Sequence, residues 1–358
     1  MERLKEYLGI CEKRCAQYFE QYPKSDVKPE ELKIGATEYF LRGGKRLRPA
    51  VLSLSAGALG GKEVELAVTP AMVSVELFHT FTLVHDDIID NDDTRRGGKS
   101  VHILVRDLFD GYEGASDYGR DVSILAGDTL HAMAVKMLIE CADSPLFSAE
   151  TVLEVLKLLE GNCINELLAG ETNDTRMGLI KSEAFDVGSS EETLEVMRQK
   201  TGVLFEYCAK AGAMLGMNVA DPTVKEAVAL GNFARLCGIA FQLKDDILGI
   251  ISDEKTLGKP IGSDIREGKK TVILQEAYKN ANAKERRLIE ETVGNRTASQ
   301  ESINAVKEIF LLRGGLERAE NLASDYISEA MSELKTIKSS EYTELLELAA
   351  GFMSARKL

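Results

Sequence analysis

The sequence FHTFTLVHDDIIDNDDTRRGGK, residues 78–99, combines an apolar helical pattern with a dense group of charged side chains. On a helix of about 3.6 residues per turn, Asp86 and Asp90 stand one above the other, and Asp87 lies beside them. His79, two turns earlier, falls on nearly the same face as Asp86. Because leucine, valine and isoleucine flank these carboxylates, we expect the helix to be largely packed rather than a solvated acidic face.

The carboxylates of this segment need a positively charged partner. Carboxylates packed this closely repel one another and raise each other's pKa unless a cation lies among them. Hard divalent ions such as Mg²⁺ take oxygen ligands, usually one or two carboxylates together with substrate phosphates. Arg95 and Arg96 follow directly, and adjacent guanidiniums suit bidentate contacts with phosphate. The segment therefore predicts a diphosphate site with metal ions on one side and arginines on the other; surface arginines after a solvated helix end are the plainer alternative.

A second pair of carboxylates lies about 160 residues further along the chain. Asp245 and Asp246 stand in FQLKDDILG, residues 241–249, again within an apolar helical context. Gly249 occupies the position at which a third aspartate would repeat the spacing of the first segment. The two acidic segments together predict two groups of metal-binding carboxylates.

Basic residues are gathered near these acidic segments, although the chain as a whole is acidic. The net charge is −14, from 58 acidic and 44 basic side chains, which argues against general binding of nucleic acid or of an anionic membrane surface. Lysines and arginines nevertheless cluster beside glycines in GGKRLRP (43–49), in KTG (200–202) and around Lys259 and Lys269. A lone Gly-Lys is a weak phosphate-binding signal, since the rest of a P-loop is absent. Metal ions that bridge carboxylates to a polyphosphate explain this mixture of charges most simply.

The distribution of proline indicates the fold class. Only seven of the 358 residues are proline, and none lies between Pro70 and Pro145, between Pro145 and Pro222, or after Pro260. These long reaches are rich in alanine, leucine, glutamate, lysine and methionine, with apolar residues at spacings of three and four, as in helices. Alternating apolar runs joined by Asn-Gly or Asp-Gly turns are nearly absent. We predict an all-α protein, a single domain of ten or more helices that spans residues 1–358.

Composition also predicts the cellular setting. The longest uncharged stretch, Pro49–Gly61, has 13 residues, fewer than the roughly 18 that a membrane span needs. Charges throughout the N-terminal segment leave no apolar core for a signal peptide, so we expect a cytoplasmic protein without stable membrane insertion. The cysteines contain no CxxC motif, and we expect thiols without a chemical role at Cys11, Cys15, Cys141, Cys163, Cys208 and Cys237.

The motifs GGKRLRP, DDIID with the following RRG, KTG, FQLKDD and GKPIGSDIREGKKT, in this order, resemble those of the trans-isoprenyl diphosphate synthases, most closely the archaeal geranylgeranyl and farnesyl diphosphate synthases. The resemblance covers about residues 40–275. It implies an all-α fold around a deep central cavity, a homodimer, and an enzyme that joins isopentenyl diphosphate to dimethylallyl, geranyl or farnesyl diphosphate. Two or three Mg²⁺ ions and basic residues would help the allylic diphosphate to depart, and the double bond of isopentenyl diphosphate would attack the resulting carbocation.

The resemblance also implies roles for the residues that match the family's motifs. The metal ligands would be Asp86, Asp87, Asp90 and Asp245. The isopentenyl diphosphate site would contain Lys45, Arg48, His79 and Arg96. The allylic diphosphate site would contain Arg95, Lys200, Thr201, Gln242, Lys259 and Lys269. The residues implied in catalysis are Asp86, Asp87, Asp90, Arg95, Lys200, Asp245 and Asp246.

Three features depart from the family's pattern. Gly249 replaces the last aspartate of the second motif, which leaves metal binding there to two carboxylates, with Asp253 as an alternative ligand. A glutamine-and-aspartate motif is replaced by Asn162 and Asn165. The polar stretch 171–192 is longer than usual, and it is either a lid or a surface excursion.

Product length depends on the residues that precede the first aspartates. If the prenyl chain grows antiparallel to this helix, Phe81 lies about 7.5 Å and Phe78 about 12 Å back from Asp86 along the axis. In the family, a bulky residue at the fifth position before the motif and a small one at the fourth, here Thr82, go with C20 products. We therefore expect geranylgeranyl diphosphate. A farnesyl or bifunctional farnesyl/geranylgeranyl synthase is the alternative, because a buried ring at Phe78 blocks any chain that would extend past it.

Three other classes fit less well. A terpene cyclase would share the fold and the first aspartates, but this chain has no tryptophan to line a cyclisation pocket and carries a second DD pair instead of an NSE-type motif. A di-iron bundle needs two ExxH motifs, and only Glu76–His79 supplies one. A non-catalytic homologue that binds a partner synthase would have little reason to keep the Asp, Arg and Lys motifs intact.

Overall fold

The computed structural model describes residues 1–22, 26–179, 185–251 and 262–354. Over these residues the regular structure is helical apart from one hairpin, β1 (Thr94–Arg95) paired antiparallel with β2 (Gly98–Lys99). The predicted all-α class with ten or more helices is therefore confirmed. The α-helices are α1 (Glu2–Glu20), α2 (Glu30–Leu41), α3 (Leu47–Ala67), α4 (Thr69–Ile89), α5 (Val101–Leu108), α6 (Ala115–Ile139), α7 (Ala149–Lys157), α8 (Ile164–Met177), α9 (Ser190–Met197), α10 (Val203–Met217), α11 (Lys225–Ile251), α12 (Ser263–Glu267), α13 (Val272–Asn280), α14 (Ala283–Thr292), α15 (Gln300–Leu312), α16 (Gly315–Leu334) and α17 (Glu341–Ser354).

Shorter helical turns join some of these helices, and the chain forms two compact units. A 3₁₀-helix, Glu140–Asp143, follows α6, and π-helical turns precede α8 and α10 at Leu158–Cys163 and Arg198–Gly202. The first unit comprises Met1–Leu158, Cys208–Ala227 and Ser339–Leu346. The second unit comprises Leu159–Tyr207, Val228–Lys338 and Glu347–Leu358. The single domain expected from the sequence stays a prediction, and each unit is described by itself.

Helix α4 is the central helix of the first unit. Most of its residues are buried, and it packs against α3 and α6. Pro70 lies in its first turn, where the missing N–H would have had no helical partner. A helix that is apolar on nearly all sides must be covered by neighbours. This packing fixes the C-terminal end of α4, which carries Asp86, Asp87 and Asp90.

Small residues allow α10 to approach α3 closely within the first unit. A β-carbon built on Gly212 would lie 2.2 Å from the carbonyl oxygen of Leu52, and one on Gly216 would lie 2.8 Å from that of Ala56. No side chain fits at either contact. The two glycines are one helical turn apart, so they form a single smooth face of α10.

The second unit is organised around an apolar core of helices α11, α13, α15 and α16. Its largest buried members include Ile247, Ile273, Leu274, Ile303 and Phe310. The short helix α12 joins this core through Ile265, which is also buried. The core thereby fixes the position of the segment that leads from α12 to Lys269.

One described segment, Ala115–Asp143, is long and apolar enough to cross a membrane by length and composition. Half of its apolar window is buried within the protein, as in the core helices of many soluble proteins. Helices α3 and α4 pass the same test only as a pair, and they meet at an angle of 89°. Both observations are those of helices that pack against protein.

Candidate active site

The carboxylate of Asp87 lies at the centre of the first acidic segment and is fully buried. Its Oδ1 accepts a hydrogen bond from Arg95 Nε at 2.6 Å, and its Oδ2 accepts one from the Tyr39 hydroxyl. The Tyr39 oxygen in turn accepts the backbone N–H of Val101 at 3.0 Å. Arg95 Nη2 also reaches Asp86 Oδ2 at 3.2 Å. Asp87, expected to be a metal ligand, is thus already held by an arginine and a tyrosine.

The electrostatics of this group depend on Arg95. Burial raises the pKa of Asp87, and the hydrogen bonds from Arg95 and Tyr39 act against that rise by favouring the charged form. Burial would lower the pKa of Arg95, but the carboxylates of Asp87, Asp86 and Asp92 outweigh it, so that pKa is raised. The negative end of the α4 dipole also disfavours carboxylates at this position. A permanent positive charge here therefore stabilises the whole acidic segment.

Asp86 and Asp90 lie one turn apart at the end of α4, as predicted, and the Asp90 N–H donates to the Asp86 carbonyl oxygen at 2.8 Å. Across the described part of the chain, no three His, Cys, Asp or Glu side chains lie close enough together to enclose a metal ion. Mg²⁺ does not need such a group, because one or two carboxylates and the substrate's phosphates usually hold it. The pair therefore suits a cation that arrives with a diphosphate.

His79 and Arg48 form a second pair close to the same helix. Arg48 Nη1 lies 3.1 Å from His79 Nε2. Desolvation lowers the pKa of His79 well below its usual value, and the guanidiniums of Arg48 and Arg96 lower it further. The imidazole is therefore neutral, and because arginine has only donors, His79 Nε2 is the acceptor. His79 thus orients Arg48. Lys45, expected at the same site, is exposed just before α3.

Glu76, a buried carboxylate on α4, holds two arginines at once. It accepts hydrogen bonds from Arg46 and, at 2.9 Å, from Arg96 Nη2. Arg46 also donates to the Phe40 carbonyl oxygen at 2.7 Å, and Arg96 Nη1 donates to that of Tyr39 at 2.7 Å. Both arginines have left-handed backbones, with φ of 48° and 50°. Such conformations persist only where the surrounding contacts impose them, and the shared carboxylate is one of these contacts.

The hairpin β1–β2 presents the two arginines of the RRGG sequence. Arg96 and Gly97 have φ of 50° and 74°, which is the pattern of a type I′ turn. Arg42 Nη1 donates to the Arg95 carbonyl oxygen at 2.8 Å, and a β-carbon on Gly98 would lie 2.6 Å from the Arg42 Cζ. Glycine at position 98 therefore allows Arg42 to lie against the hairpin. Arg95 and Arg96 then point to different carboxylates, Asp87 for one and Glu76 for the other.

In the second unit, four of the predicted site residues form one hydrogen-bonded chain. Thr201 Oγ1 donates to Gln242 Oε1 at 3.1 Å, and Gln242 Nε2 reaches Asp246 Oδ1 at 3.3 Å. Lys269 Nζ donates to the same Asp246 oxygen at 2.8 Å. The other oxygen, Asp246 Oδ2, is buried and has no hydrogen-bond partner among the described residues. A buried acceptor left in this way is costly, so the position suits a ligand.

Within this hydrogen-bonded group, Asp246 and Lys269 each stabilise the charged form of the other. Burial raises the pKa of Asp246, Lys269 and Gln242 act against the rise, and the carboxylate of Asp264 adds to it. Burial would lower the pKa of Lys269, but Asp246 and Asp264 outweigh it, and the pKa is raised. Lys269 is therefore a permanent ammonium ion beside two carboxylates.

Lys200 is placed by the end of α8. Its Nζ lies 2.8 Å from Asp174 Oδ2 and 3.0 Å from Glu171 Oε2. A β-carbon on Gly170 would lie 2.6 Å from the Lys200 backbone nitrogen, so glycine is needed where α8 passes the π-helical turn. The start of the polar stretch 171–192 thus lies in the second half of α8, and its carboxylates hold Lys200, a predicted diphosphate ligand.

The two phenylalanines of the predicted chain-length floor lie between α4 and α6. Phe78 and Phe81 meet edge to face with ring centroids 5.0 Å apart, and the His131 ring lies 5.8 Å and 5.3 Å from them. Phe78 is fully buried and Phe81 nearly so. Thr82 Oγ1 donates to the His79 carbonyl oxygen at 2.8 Å.

Some expected residues contribute less, and some contributors were not expected. Lys259 and the alternative ligand Asp253 lie outside the described residues. Asn162 and Asn165, the departures from the family's motif, are both exposed. The sequence did not indicate the residues that hold the predicted ones in place, namely Tyr39, Arg42, Arg46, Glu76, Glu171 and Asp174. Two of them carried a signal: Arg46 lies in the basic GGKRLRP motif, and Glu76 is the one charged residue between Leu66 and His85.

Comparisons with known proteins agree with this arrangement. Residues 30–310 match the family model described as polyprenyl synthetase. The short chain isoprenyl diphosphate synthase of Methanothermobacter thermautotrophicus is 34% identical over 357 residues, which cover 100% of this chain and 98% of that protein. The geranylgeranyl pyrophosphate synthase of Geoglobus acetivorans is 38% identical, over 92% of both chains.

A solved structure gives the same result at the level of the fold. The geranylgeranyl pyrophosphate synthase of Corynebacterium glutamicum, crystallised with isoprenyl diphosphate and magnesium, superposes with a TM-score of 0.84 at 29% identity over 99% of both chains. Fold, motif order and full-length similarity therefore coincide. The chain belongs to the polyprenyl synthetase family, and it is a prenyltransferase.

Proposed function

We propose that this protein condenses isopentenyl diphosphate with dimethylallyl, geranyl and farnesyl diphosphates and that geranylgeranyl diphosphate is its main product. One observation carries the proposal: in each unit, the carboxylates of an aspartate motif are ion-paired with a basic residue that follows them in the chain. Arg95 lies on Asp87, and Lys269 lies on Asp246. Cations held at carboxylates in this way are placed to neutralise a diphosphate once metal ions satisfy the carboxylates.

We propose that two or three Mg²⁺ ions bind at the two aspartate motifs. Asp86 and Asp90 would hold cations at the end of α4, and Asp245 would hold one on α11. Asp87 has the different task of holding Arg95, because both of its oxygens are already bonded. The buried and unpartnered Oδ2 of Asp246 supports a cation on α11. When bound, the metal ions withdraw charge from the diphosphate and so promote its departure.

The basic residues divide between the two substrates. Arg95, Lys200 and Lys269 would neutralise the allylic diphosphate, with Thr201 and Gln242 holding the environment of Asp246. Arg48 and Arg96, with Lys45, would bind isopentenyl diphosphate, and neutral His79 would orient Arg48 without adding charge. Because these donors are positioned in advance by buried carboxylates, little reorganisation is needed as the leaving group gains charge.

Purified full-length protein incubated with isopentenyl diphosphate and each allylic primer should form a C20 product that disappears when the metal is chelated. Asp90→Asn should lower kcat by about 100-fold or more, since it removes a charge that holds the cation. Asp325→Asn, at an exposed position on α16, is the matched control and should keep the wild-type rate. Elongation of no primer by a folded protein would reject the synthase and favour a non-catalytic partner of another synthase.

We propose that the aromatic pair on α4 limits the product. Phe81→Ala should extend the product beyond C20, because it removes the ring that meets the chain first. Phe19→Ala, another fully buried ring in the first unit, should lower stability by a similar amount, about 3–5 kcal/mol, without changing product length. Products would be sized by chromatography after removal of the diphosphate. A C15 product from the wild-type protein would place the floor nearer the aspartates, and an unchanged product from Phe81→Ala would remove Phe81 from the floor.

We also propose a cytoplasmic homodimer that forms through α6. Neighbouring Ile124 and Leu125 on this helix are 46% and 55% exposed, and covering them with a second copy would remove apolar surface from water. Leu125→Glu should shift sedimentation from dimer to monomer at micromolar concentration. Leu311→Glu, on another exposed apolar residue of α15, should leave the dimer intact. A monomeric wild-type protein would contradict this assembly.

A further inference from the structure

The position at which the second aspartate motif lacks its last carboxylate is occupied by a carboxylate from another helix. A β-carbon built on Gly249 of α11 would lie 2.6 Å from Asp264 Oδ2 and 3.4 Å from Asp264 Cγ. A carbon and an oxygen do not approach each other so closely without a bond between them. The Asp264 side chain, from α12, therefore fills the volume that a side chain at position 249 would take.

This contact places Asp264 with the aspartates of the motif. Residues four apart on a helix share a face, so Gly249 lies directly one turn after Asp245. The Asp264 carboxylate thus lies on the face of α11 that carries Asp245. Beside it is Asp246, whose buried Oδ2 has no hydrogen-bond partner among the described residues. The described carboxylates do not enclose a metal ion by themselves. A buried acceptor without a hydrogen-bond partner in this region suits a cation whose remaining ligands come from the diphosphate.

The backbone holds Asp264 in this position independently of its side chain. The Lys269 N–H donates to the Asp264 carbonyl oxygen at 3.0 Å, and the Gly294 N–H donates to that of Ile265 at 2.8 Å. Gly268 turns the chain with φ of 74°, and a β-carbon there would lie 3.0 Å from the Gly294 Cα. The buried Ile265 anchors the same turn in the core. These contacts fix where the Asp264 carboxylate stands.

We propose that Asp264 supplies the metal-binding carboxylate that Gly249 removes from the second aspartate motif. Asp245 and Asp264 then hold the cation, and the diphosphate provides further oxygen ligands. Mg²⁺ bound by two carboxylates together with phosphate is the usual arrangement in proteins. This arrangement requires glycine at position 249, because any larger side chain there would displace Asp264. The inference rests on the proposed metal-dependent diphosphate site.

The affinity for Mg²⁺ tests the inference without an activity assay. Thermal melting of the full-length protein, with inorganic pyrophosphate present, would be followed as Mg²⁺ is added, since a ligand of the folded state raises the melting temperature. Asp264→Asn keeps the shape and removes the charge, and it should weaken the apparent affinity at least about tenfold. Asp325→Asn, an exposed carboxylate of the same unit, should bind Mg²⁺ as the wild-type protein does.

Moving the carboxylate back to α11 gives a second test. Gly249→Asp alone should bind Mg²⁺ more weakly than the wild-type protein, because its side chain meets Asp264. Gly249→Asp combined with Asp264→Ala should recover most of the wild-type affinity. If Asp264→Asn does not fold, the comparison of the single Gly249→Asp variant with this double variant tests the role of Asp264.

Wild-type affinity for Mg²⁺ in Asp264→Asn would overturn the inference. If the metal-free variant also melted at a lower temperature, Asp264 would be a structural residue. A wild-type protein that pyrophosphate and Mg²⁺ do not stabilise would instead overturn the proposed function, and the inference with it.

Discussion

The structure depends on the need to neutralise carboxylates that are held close together at places where water does not reach them. Asp87 on α4 and Asp246 on α11 are both buried, and each would be strongly disfavoured as an isolated charge. Arg95 solves this problem in the first unit and Lys269 in the second. Arg95 follows Asp87 by eight residues, across the end of α4 and the hairpin, and Lys269 follows Asp246 by 23 residues. The ion pairs that compensate these buried charges therefore also bring acidic and basic residues together, which is what a metal–diphosphate site needs.

A second group of buried charges supports the first. Glu76 lies on α4 before the aspartates and binds Arg46, which precedes α3, as well as Arg96 of the hairpin. Removing one partner of such a group leaves the others buried and uncompensated, which is more damaging than the loss of an exposed ion pair. Glu171 and Asp174 do the same for Lys200 in the second unit. Arg96 and Lys200, which are expected to bind substrate, are thus held by carboxylates of α4 and α8.

The local sequence predicted the helical class and the identity of the acidic and basic motifs, because helical periodicity, proline positions and short motifs can all be read from residues that are neighbours in the chain. It could not predict that Asp87 is used by Arg95 and Tyr39, since Tyr39 lies 48 residues away along the chain. The hairpin was missed because its turn is Arg96-Gly97 and not the Asn-Gly or Asp-Gly pair that usually marks a type I′ turn. The contact between Gly249 and Asp264 was missed for the same reason as the contact of Tyr39, because the two residues are separated along the chain. Only the folded chain brings Asp264 to it.

We propose that Lys269 turns from Asp246 to the diphosphate when metal and substrate bind, and that Arg95 Nη2 turns from Asp86 to the diphosphate while Arg95 Nε stays on Asp87. Crystal structures of the full-length protein, metal-free and with Mg²⁺ and an unreactive thio-analogue of an allylic diphosphate, test it most directly. We expect Lys269 Nζ to leave Asp246 Oδ1 for a diphosphate oxygen while cations lie at Asp86 and Asp245. A diphosphate bound elsewhere, with both the Lys269–Asp246 and the Arg95–Asp86 contacts unchanged, would contradict it.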